Sequence, residues 1–160
     1  MRVALRVEVR TLRGLQQGVS NLLRLFGEYQ VRASFFFALG RDLSGRSPLS
    51  AWHDRAHLGL SPQPWVRRLA YADAAWVENQ CARLWERFAA SGLEAPCGLA
   101  TPDWQVHPRL LHELTPTRYR YSTLTRGKLP YFPVLQGVRS TIPEIPTTLP
   151  TVDELLRQPG

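Results

Sequence analysis

The chain has 160 residues, 44% of them hydrophobic, and a net charge of +7 at pH 7, with no apolar run near the roughly 18 residues that span a bilayer. These values fit one globular domain over 1–160, and the charges in the first apolar segment argue against a secretory leader, so we expect a cytoplasmic protein. The positive charge suits nucleic acid, anionic lipid or a phosphorylated substrate, but its scattered arginines favour a solvated surface over a nucleic-acid-binding stripe.

The first predicted element is a strand in LRVEVRTLRG, residues 5–14. Apolar residues alternate with others from Arg2 to Arg10, which is the pattern of a strand with one apolar and one charged face. The charged face either meets water, as on an ordinary edge strand, or lines a cleft with Glu8 and Arg10 at the strand's C-terminal end. The pattern alone leaves both interpretations open.

A helix and a second strand follow. Leu15 to Tyr29 carries apolar residues at helical spacing, and RASFFFALG, from Arg32 to Gly40, is a short apolar run that ends in glycine. The resulting β-α-β unit predicts a parallel pair of strands. The Pro-, Ser- and Gly-rich stretch from Arg41 to Pro64 has little periodicity, so we predict that it is mostly loop.

The strongest helical pattern runs from Trp65 to Ser91, and Gly92 supplies a stop signal. Its apolar stripe predicts that Cys81 is buried in the core. Cys97 is the only other cysteine, and the two do not form a C-x-x-C pair, so neither a disulfide framework nor a zinc knuckle is predicted.

The last third of the chain continues the alternation of strands and helices. We predict a short strand in APCGLATPDW, a helix from Pro108 to about Leu114, a strand in RYRYSTL and a loop in GKLPYFPVLQG. Thr151 and Glu154 form a capping box for a terminal helix. The whole pattern predicts an α/β fold with a mainly parallel sheet, either open or closing toward a barrel.

Five stretches resemble the NodB-homology polysaccharide deacetylases, and especially the branch that deformylates an undecaprenyl-phosphate-linked aminoarabinose in lipid A modification. They are LRVEVRTLRG, RASFFFALGRDLSGR, WHDRAH, RYSTLTRG and EIPTTLPTVDELL, in the family's order. The resemblance implies a β/α barrel that removes an acyl group from an amino-sugar nitrogen by metal-assisted hydrolysis. We therefore expect an incomplete or distorted β/α barrel with mainly parallel strands.

The resemblance also implies site residues. The family ends its first strand with Asp-x-Asp, a general base and a metal ligand, and these positions here are Glu8 and Arg10. Glu8 is thus a candidate catalytic residue, whereas Arg10 is an altered metal position because a guanidinium cannot ligate a cation. The family's His-x-x-x-His motif matches His53 and His57, which would hold a zinc-like divalent metal, although solvated or core histidines remain the alternative.

Two further departures from the family follow from the alignment. The family's Trp-Arg pair matches Trp104 and Gln105, so the arginine that orients the base is replaced. Trp104 is either a candidate catalytic-site residue or a core aromatic. The family's general-acid histidine would lie beyond Gly160, so we expect a domain that lacks the family's C-terminal part.

Three interpretations stay open. The favoured one is a pseudoenzyme that binds an amino sugar or a polyprenyl-phosphate-linked sugar with little or no hydrolysis and no cofactor. The second is an active amide hydrolase that uses a divalent metal, and the third is a decayed fragment or basic binding module. A protein that binds such a lipid-linked sugar would act at the inner face of the membrane, in peripheral contact with anionic lipid. A homo-oligomer, in which a second copy supplies missing strands, also stays open.

Overall fold

A computed structural model describes residues 4–38, 57–61, 69–90 and 96–157. The strands are β1 (Leu5–Val9), β2 (Ala33–Ala38), β3 (His57–Ser61), β4 (Gly98–Ala100), β5 (Tyr121–Thr123), β6 (Val134–Leu135) and β7 (Val138–Arg139). The helices are α1 (Ser20–Glu28), α2 (Ala74–Ala90), α3 (Pro108–Glu113) and α4 (Val152–Leu156). A π-helical segment, Gly14–Val19, leads into α1, and single 3₁₀ turns occupy Leu69–Tyr71 and Pro102–Trp104.

The main sheet is parallel throughout, with the strand order β1-β2-β3-β4-β5. Each strand therefore pairs with the next one along the chain, and α1, α2 and α3 lie in the crossovers. This order confirms the predicted α/β fold with parallel strands. In the described part of the chain the two edge strands, β1 and β5, do not pair with each other, so the barrel is incomplete.

The two faces of this sheet have different surroundings. The outer face supplies Val9, Phe35, Phe37 and Leu99 to one buried core. Residues from the helices complete that core, among them Leu15, Val19, Val77, Cys81, Leu84, Phe88, Leu110 and Leu111. Because side chains alternate along a strand, the inner face carries the other set: Arg6, Glu8, Ser34, Phe36, Tyr121 and Thr123. The charged side of β1 is thus on the inner face, where it contacts other strands.

The sheet curls strongly around this inner face. The Tyr121 hydroxyl on β5 donates a hydrogen bond of 3.1 Å to Ser34 Oγ on β2, and its ring lies edge-on to Phe36 at 6.3 Å. In a flat sheet, β2 and β5 would stand about 14 Å apart, three strand spacings. Burial raises the pKa of Tyr121, so the hydroxyl stays protonated as a donor. Gly98 makes the arrangement possible, because a Cβ there would lie 2.7 Å from Tyr121 Cζ.

The predicted helix boundaries agree only in part with the structure. The helix predicted from Trp65 begins at Ala74, because Asp73 Oδ1 accepts hydrogen bonds from the first-turn amides of Ala75 and Trp76. Cys81 is 4% exposed, which confirms its predicted burial, and burial raises the pKa of its thiol to about 12. The capping box of α4 is confirmed, with Thr151 and Glu154 bonded reciprocally.

Two predicted loops contain strands. β3 lies inside the stretch predicted as loop up to Pro64, and its sequence HLGLS is too short and too poor in β-branched residues to show a strand pattern. It is a strand because β2 and β4 pair with it on both sides. The loop predicted in GKLPYFPVLQG contributes β6 to an antiparallel hairpin with β7, whose turn includes Gly137 at a φ of 78°.

Gly98→Ala should destabilise the protein by about 1–3 kcal/mol, because the new methyl group would overlap the confined Tyr121 ring. The matched control is Gly27→Ala on α1, where an added Cβ has no atom within 4 Å. There alanine should stabilise the helix by about 0.5 kcal/mol. Urea unfolding of both variants measures the difference, and equal stabilities would contradict the close approach at Gly98.

Candidate functional site

The inner face of β1 carries a charged group that we call the β1 cluster, formed by Arg6, Glu8 and Arg10. Arg6 Nη2 donates to Glu8 Oε1, and Arg10 Nε donates to Glu8 Oε2 at 2.7 Å. Arg6 and Glu8 share one face because they are spaced two apart on β1, and Arg10 directly follows the strand. The side chains of Arg6 and Glu8 are 17% and 18% exposed, whereas that of Arg10 is 44% exposed. Both oxygens of the Glu8 carboxylate are therefore engaged by guanidinium groups.

Arg6 also contacts the far side of the sheet. Its Nη1 donates to the Thr123 carbonyl oxygen at 2.8 Å and to Thr123 Oγ1 at 3.2 Å, and its Nη2 donates to the Thr101 carbonyl oxygen at 3.2 Å. The guanidinium lies over the Phe36 ring, 5.6 Å from its centroid. A half-buried cation thus has a carboxylate, two carbonyls and an aromatic face as partners, which compensates its desolvation.

Trp104 belongs to a second polar group that includes Arg126, Thr147 and Glu154. Its indole Nε1 donates to Thr147 Oγ1 at 3.0 Å, and the Arg126 guanidinium lies 4.2 Å from the indole centroid. Arg126 also pairs with Glu154 at 2.5 Å. Hydrogen bonding to the Thr151 amide and to Arg126 lowers the pKa of Glu154. Trp104 sits in a tight turn after β4, in which Asp103 and Trp104 both have a positive φ.

A buried carboxylate, Glu144, holds the segment that leads to Arg126. Its Oε1 accepts from the backbone amides of Leu124 and Thr125 at 2.6 and 2.8 Å and from Thr125 Oγ1 at 2.9 Å. Its Oε2 accepts from Ser122 Oγ at 2.5 Å. Glu144 has no exposed surface, so these four donors take the place of water. Sequence reasoning did not identify this residue, and the only available signal was a lone acid inside the apolar, proline-rich run STIPEIP.

An open pocket of about 890 Å³ lies beside Trp104. Its lining consists of Ala70, Tyr71, Asp103, Trp104, Gln105, Val106 and Leu135. The β1 cluster does not line this pocket. The Trp104 ring therefore forms an aromatic wall of this open pocket. The same ring is also in contact with the Arg126 guanidinium.

The structure brings together some of the predicted site residues. Glu8 and Arg10 are in contact. Arg6, which sequence reasoning did not single out, is the third member of the β1 cluster. Thr101, which accepts from Arg6, lies three residues before Trp104.

The two predicted metal histidines are described unequally. His53 lies outside the described residues. His57 is the first residue of β3, where its backbone is in register with Ser34. The ligand roles of both histidines stay predictions.

The described residues of the β1 cluster do not fit a divalent cation. Both oxygens of Glu8 accept from arginine, and two guanidinium groups beside one carboxylate would repel a further cation. Within the ranges that the structure describes, no group of three or more His, Cys, Asp and Glu side chains is arranged to hold a metal.

Comparison with known proteins adds independent information. No protein-family model matches the chain. A curated protein of Shewanella sediminis, described as the 4-deoxy-4-formamido-L-arabinose-phosphoundecaprenol deformylase ArnD, is 26% identical over 204 aligned positions that cover 97% of this chain. The predicted resemblance to NodB-homology polysaccharide deacetylases, near ArnD, is confirmed.

A solved structure shows the same fold. The crystal structure of a Mycobacterium smegmatis protein described as a polysaccharide deacetylase superposes with a TM-score of 0.66 at 17% identity, covering 91% of this chain. This chain spans 65% of the length of the curated ArnD and 58% of the crystallised chain. In the described residues, no helix is both long and apolar enough to cross a membrane.

Glu144→Leu should destabilise the protein by about 3 kcal/mol, because the buried amide of Leu124 and the partly buried amide of Thr125 lose their acceptor. Glu144→Gln should stay within about 1 kcal/mol of the parent, since an amide oxygen can replace Oε1 and the amide nitrogen can donate to Ser122 Oγ. Denaturant unfolding separates the two variants. If the glutamine variant were as unstable as the leucine variant, the negative charge itself would be required.

Arg10→Asp should raise the affinity for cobalt at least tenfold, because it removes a repelling charge and adds a carboxylate beside Glu8. Cobalt titration followed by visible absorption gives the affinity. The control is Arg13→Asp, whose exposed parent side chain bonds only to Gln17 in the described contacts. Equal affinities in the parent and Arg10→Asp would show that Arg10 does not occupy a metal position.

Proposed function

We propose that the chain is a degenerate carbohydrate deacetylase that binds an amino sugar linked to a polyprenyl phosphate, with little or no hydrolysis. The observation that carries this proposal is the clamping of Glu8 between Arg6 and Arg10. The similarity to ArnD supports the ligand class, since the name of that protein specifies an aminoarabinose derivative on phosphoundecaprenol.

The clamp disfavours Glu8 as a general base. A base needs a free oxygen within hydrogen-bond distance of the proton that it accepts. In this protein each carboxylate oxygen accepts a charge-assisted hydrogen bond, which is about twice as strong as a neutral one. To accept a proton from water, Glu8 would have to leave Arg10, and its other oxygen would still be bonded to Arg6.

The same cluster supports binding of an anion. Two guanidinium groups and one carboxylate leave a net charge of +1, and Arg10 is the member with the most solvent exposure. An arginine can bind two oxygens of a phosphate in parallel. Trp104, at the wall of the open pocket, offers an aromatic surface on which a sugar ring can pack. We place this activity at the cytoplasmic face of the membrane, where its lipid-linked ligand would reside.

Arg10→Gln should weaken binding about tenfold, since one charged contact to phosphate is lost. The probe is an N-formylated amino sugar on a short-chain prenyl phosphate, titrated calorimetrically into the parent and the variant. The control is Arg24→Gln on α1, whose partner Glu28 also lies on that helix, and its affinity should equal that of the parent.

Release of formate from the same probe distinguishes the alternatives. The proposal expects binding without release. Steady release that is lost on His53→Ala would overturn it in favour of the active metal-dependent hydrolase. Failure of the folded parent to bind the probe would overturn it in favour of a module without a sugar site.

A further inference from the structure

The open pocket beside Trp104 has a charge opposite to that of the chain as a whole. The chain carries a net charge of +7, yet the described lining of this pocket contains one carboxylate, that of Asp103, and no basic side chain. Asp103 is exposed, and no ion pair within the described ranges includes it. An acidic pocket on a basic protein favours a ligand with a cationic group.

Two aromatic residues accompany this carboxylate. Tyr71, which is 88% exposed, and Trp104 both line the pocket. Aromatic rings attract cations through the negative charge of their faces, and tryptophan does so most strongly. The Trp104 ring already holds one cation, because the Arg126 guanidinium lies 4.2 Å from its centroid. Glu154 pairs with that guanidinium and compensates its charge, so a second cation in the pocket meets little repulsion.

The turn that carries Asp103 has an unfavourable backbone conformation. Asp103 and Trp104 have φ angles of 53° and 52°, in the left-handed region that residues with a side chain rarely adopt. Contacts from outside the turn maintain it. Trp104 Nε1 donates to Thr147 Oγ1 at 3.0 Å. Thr101 Oγ1 donates to the Gln105 carbonyl oxygen at 2.7 Å. Backbone strain that the surroundings maintain in this way is concentrated at functional sites.

One buried residue connects this pocket to the β1 cluster. Thr101 has no exposed surface, and its carbonyl oxygen accepts from Arg6 Nη2 at 3.2 Å. Its hydroxyl donates to Gln105, which lines the pocket. The cationic β1 cluster and the acidic pocket are therefore neighbours on the two sides of Thr101. A ligand that complements both carries a negative and a positive group close together, as a phosphorylated sugar with a free amine does.

We infer that the pocket selects the free, protonated amine of the sugar over its N-acylated form. The Asp103 carboxylate is the partner of the ammonium group, and Trp104 and Tyr71 are its aromatic walls. The inference rests on the proposed function, because it names the form of the amino sugar that the chain binds. An acyl group converts the amine into a neutral amide, which loses the charge that the carboxylate and the rings attract. The chain thus prefers the sugar that remains after deacylation.

Calorimetric titration with a matched pair of probes tests this inference. Both probes are the same amino sugar on a short-chain prenyl phosphate, one with a free amine and the other N-formylated. At pH 7 the parent should bind the free-amine probe about tenfold more tightly than the formylated probe. Added salt should reduce this difference, because it screens the exposed carboxylate.

Asp103→Asn is the decisive variant. Asparagine also tolerates a positive φ, so the turn keeps its conformation while the charge is lost. The affinities of this variant for the two probes should differ by no more than about twofold. The matched control is Asp153→Asn, which removes an exposed carboxylate that does not line the pocket and should retain the preference of the parent. Circular dichroism melting verifies that both variants are folded.

The outcomes separate this inference from the proposed function. Equal binding of the two probes by the parent would overturn the inference and leave the proposed function in place. A preference that persists in Asp103→Asn would also overturn it, because the size of the formyl group and not the charge would then decide. If the folded parent binds neither probe, the inference and the proposed function both fail.

Discussion

The position of Arg6 is the constraint on which much of this structure depends. Its guanidinium lies on the inner face of β1 with 17% of the side chain exposed, so it needs partners that replace water. Two of them, the carbonyls of Thr101 and Thr123, lie at the C-terminal ends of β4 and β5. A flat five-stranded sheet could not bring these carbonyls to β1. The hydrogen bonds of Arg6 to these carbonyls therefore require the curl of the sheet, and they also stabilise it. The contact between Tyr121 and Ser34 stabilises the same curvature.

The ion pair that stabilises Arg6 also changes the chemistry that is available at β1. Glu8 neutralises the half-buried guanidinium of Arg6, and Arg10 then occupies the carboxylate oxygen that remains. Removing Arg10 alone would free one oxygen, but Arg6 would continue to hold the other. Release of both Glu8 oxygens for base catalysis thus requires changes at Arg6 as well as at Arg10, because structural and chemical demands meet at a single carboxylate.

Sequence patterns predicted the local features of the fold. They did not predict the features that depend on contacts between residues far apart in the chain. Alternation identified β1 and its charged face, and helical spacing identified the burial of Cys81, because both patterns arise within a single element. Arg6 was missed because its carbonyl partners lie 95 and 117 positions away in the chain. β3 was missed because pairing on both sides, and not its own side chains, makes it a strand. Glu144 was missed because its four donors come from the segment that follows Tyr121.

Polar contacts connect the late segment of the chain to the wall of the pocket. Glu154 caps α4 and also pairs with Arg126, whose guanidinium packs on the Trp104 ring. Thr147, which lies three residues after Glu144, accepts from the same indole. Arg126 and Glu154 therefore link the wall of the pocket to α4. The aromatic wall that is proposed to pack against a sugar ring is therefore positioned by the same polar contacts that hold α4.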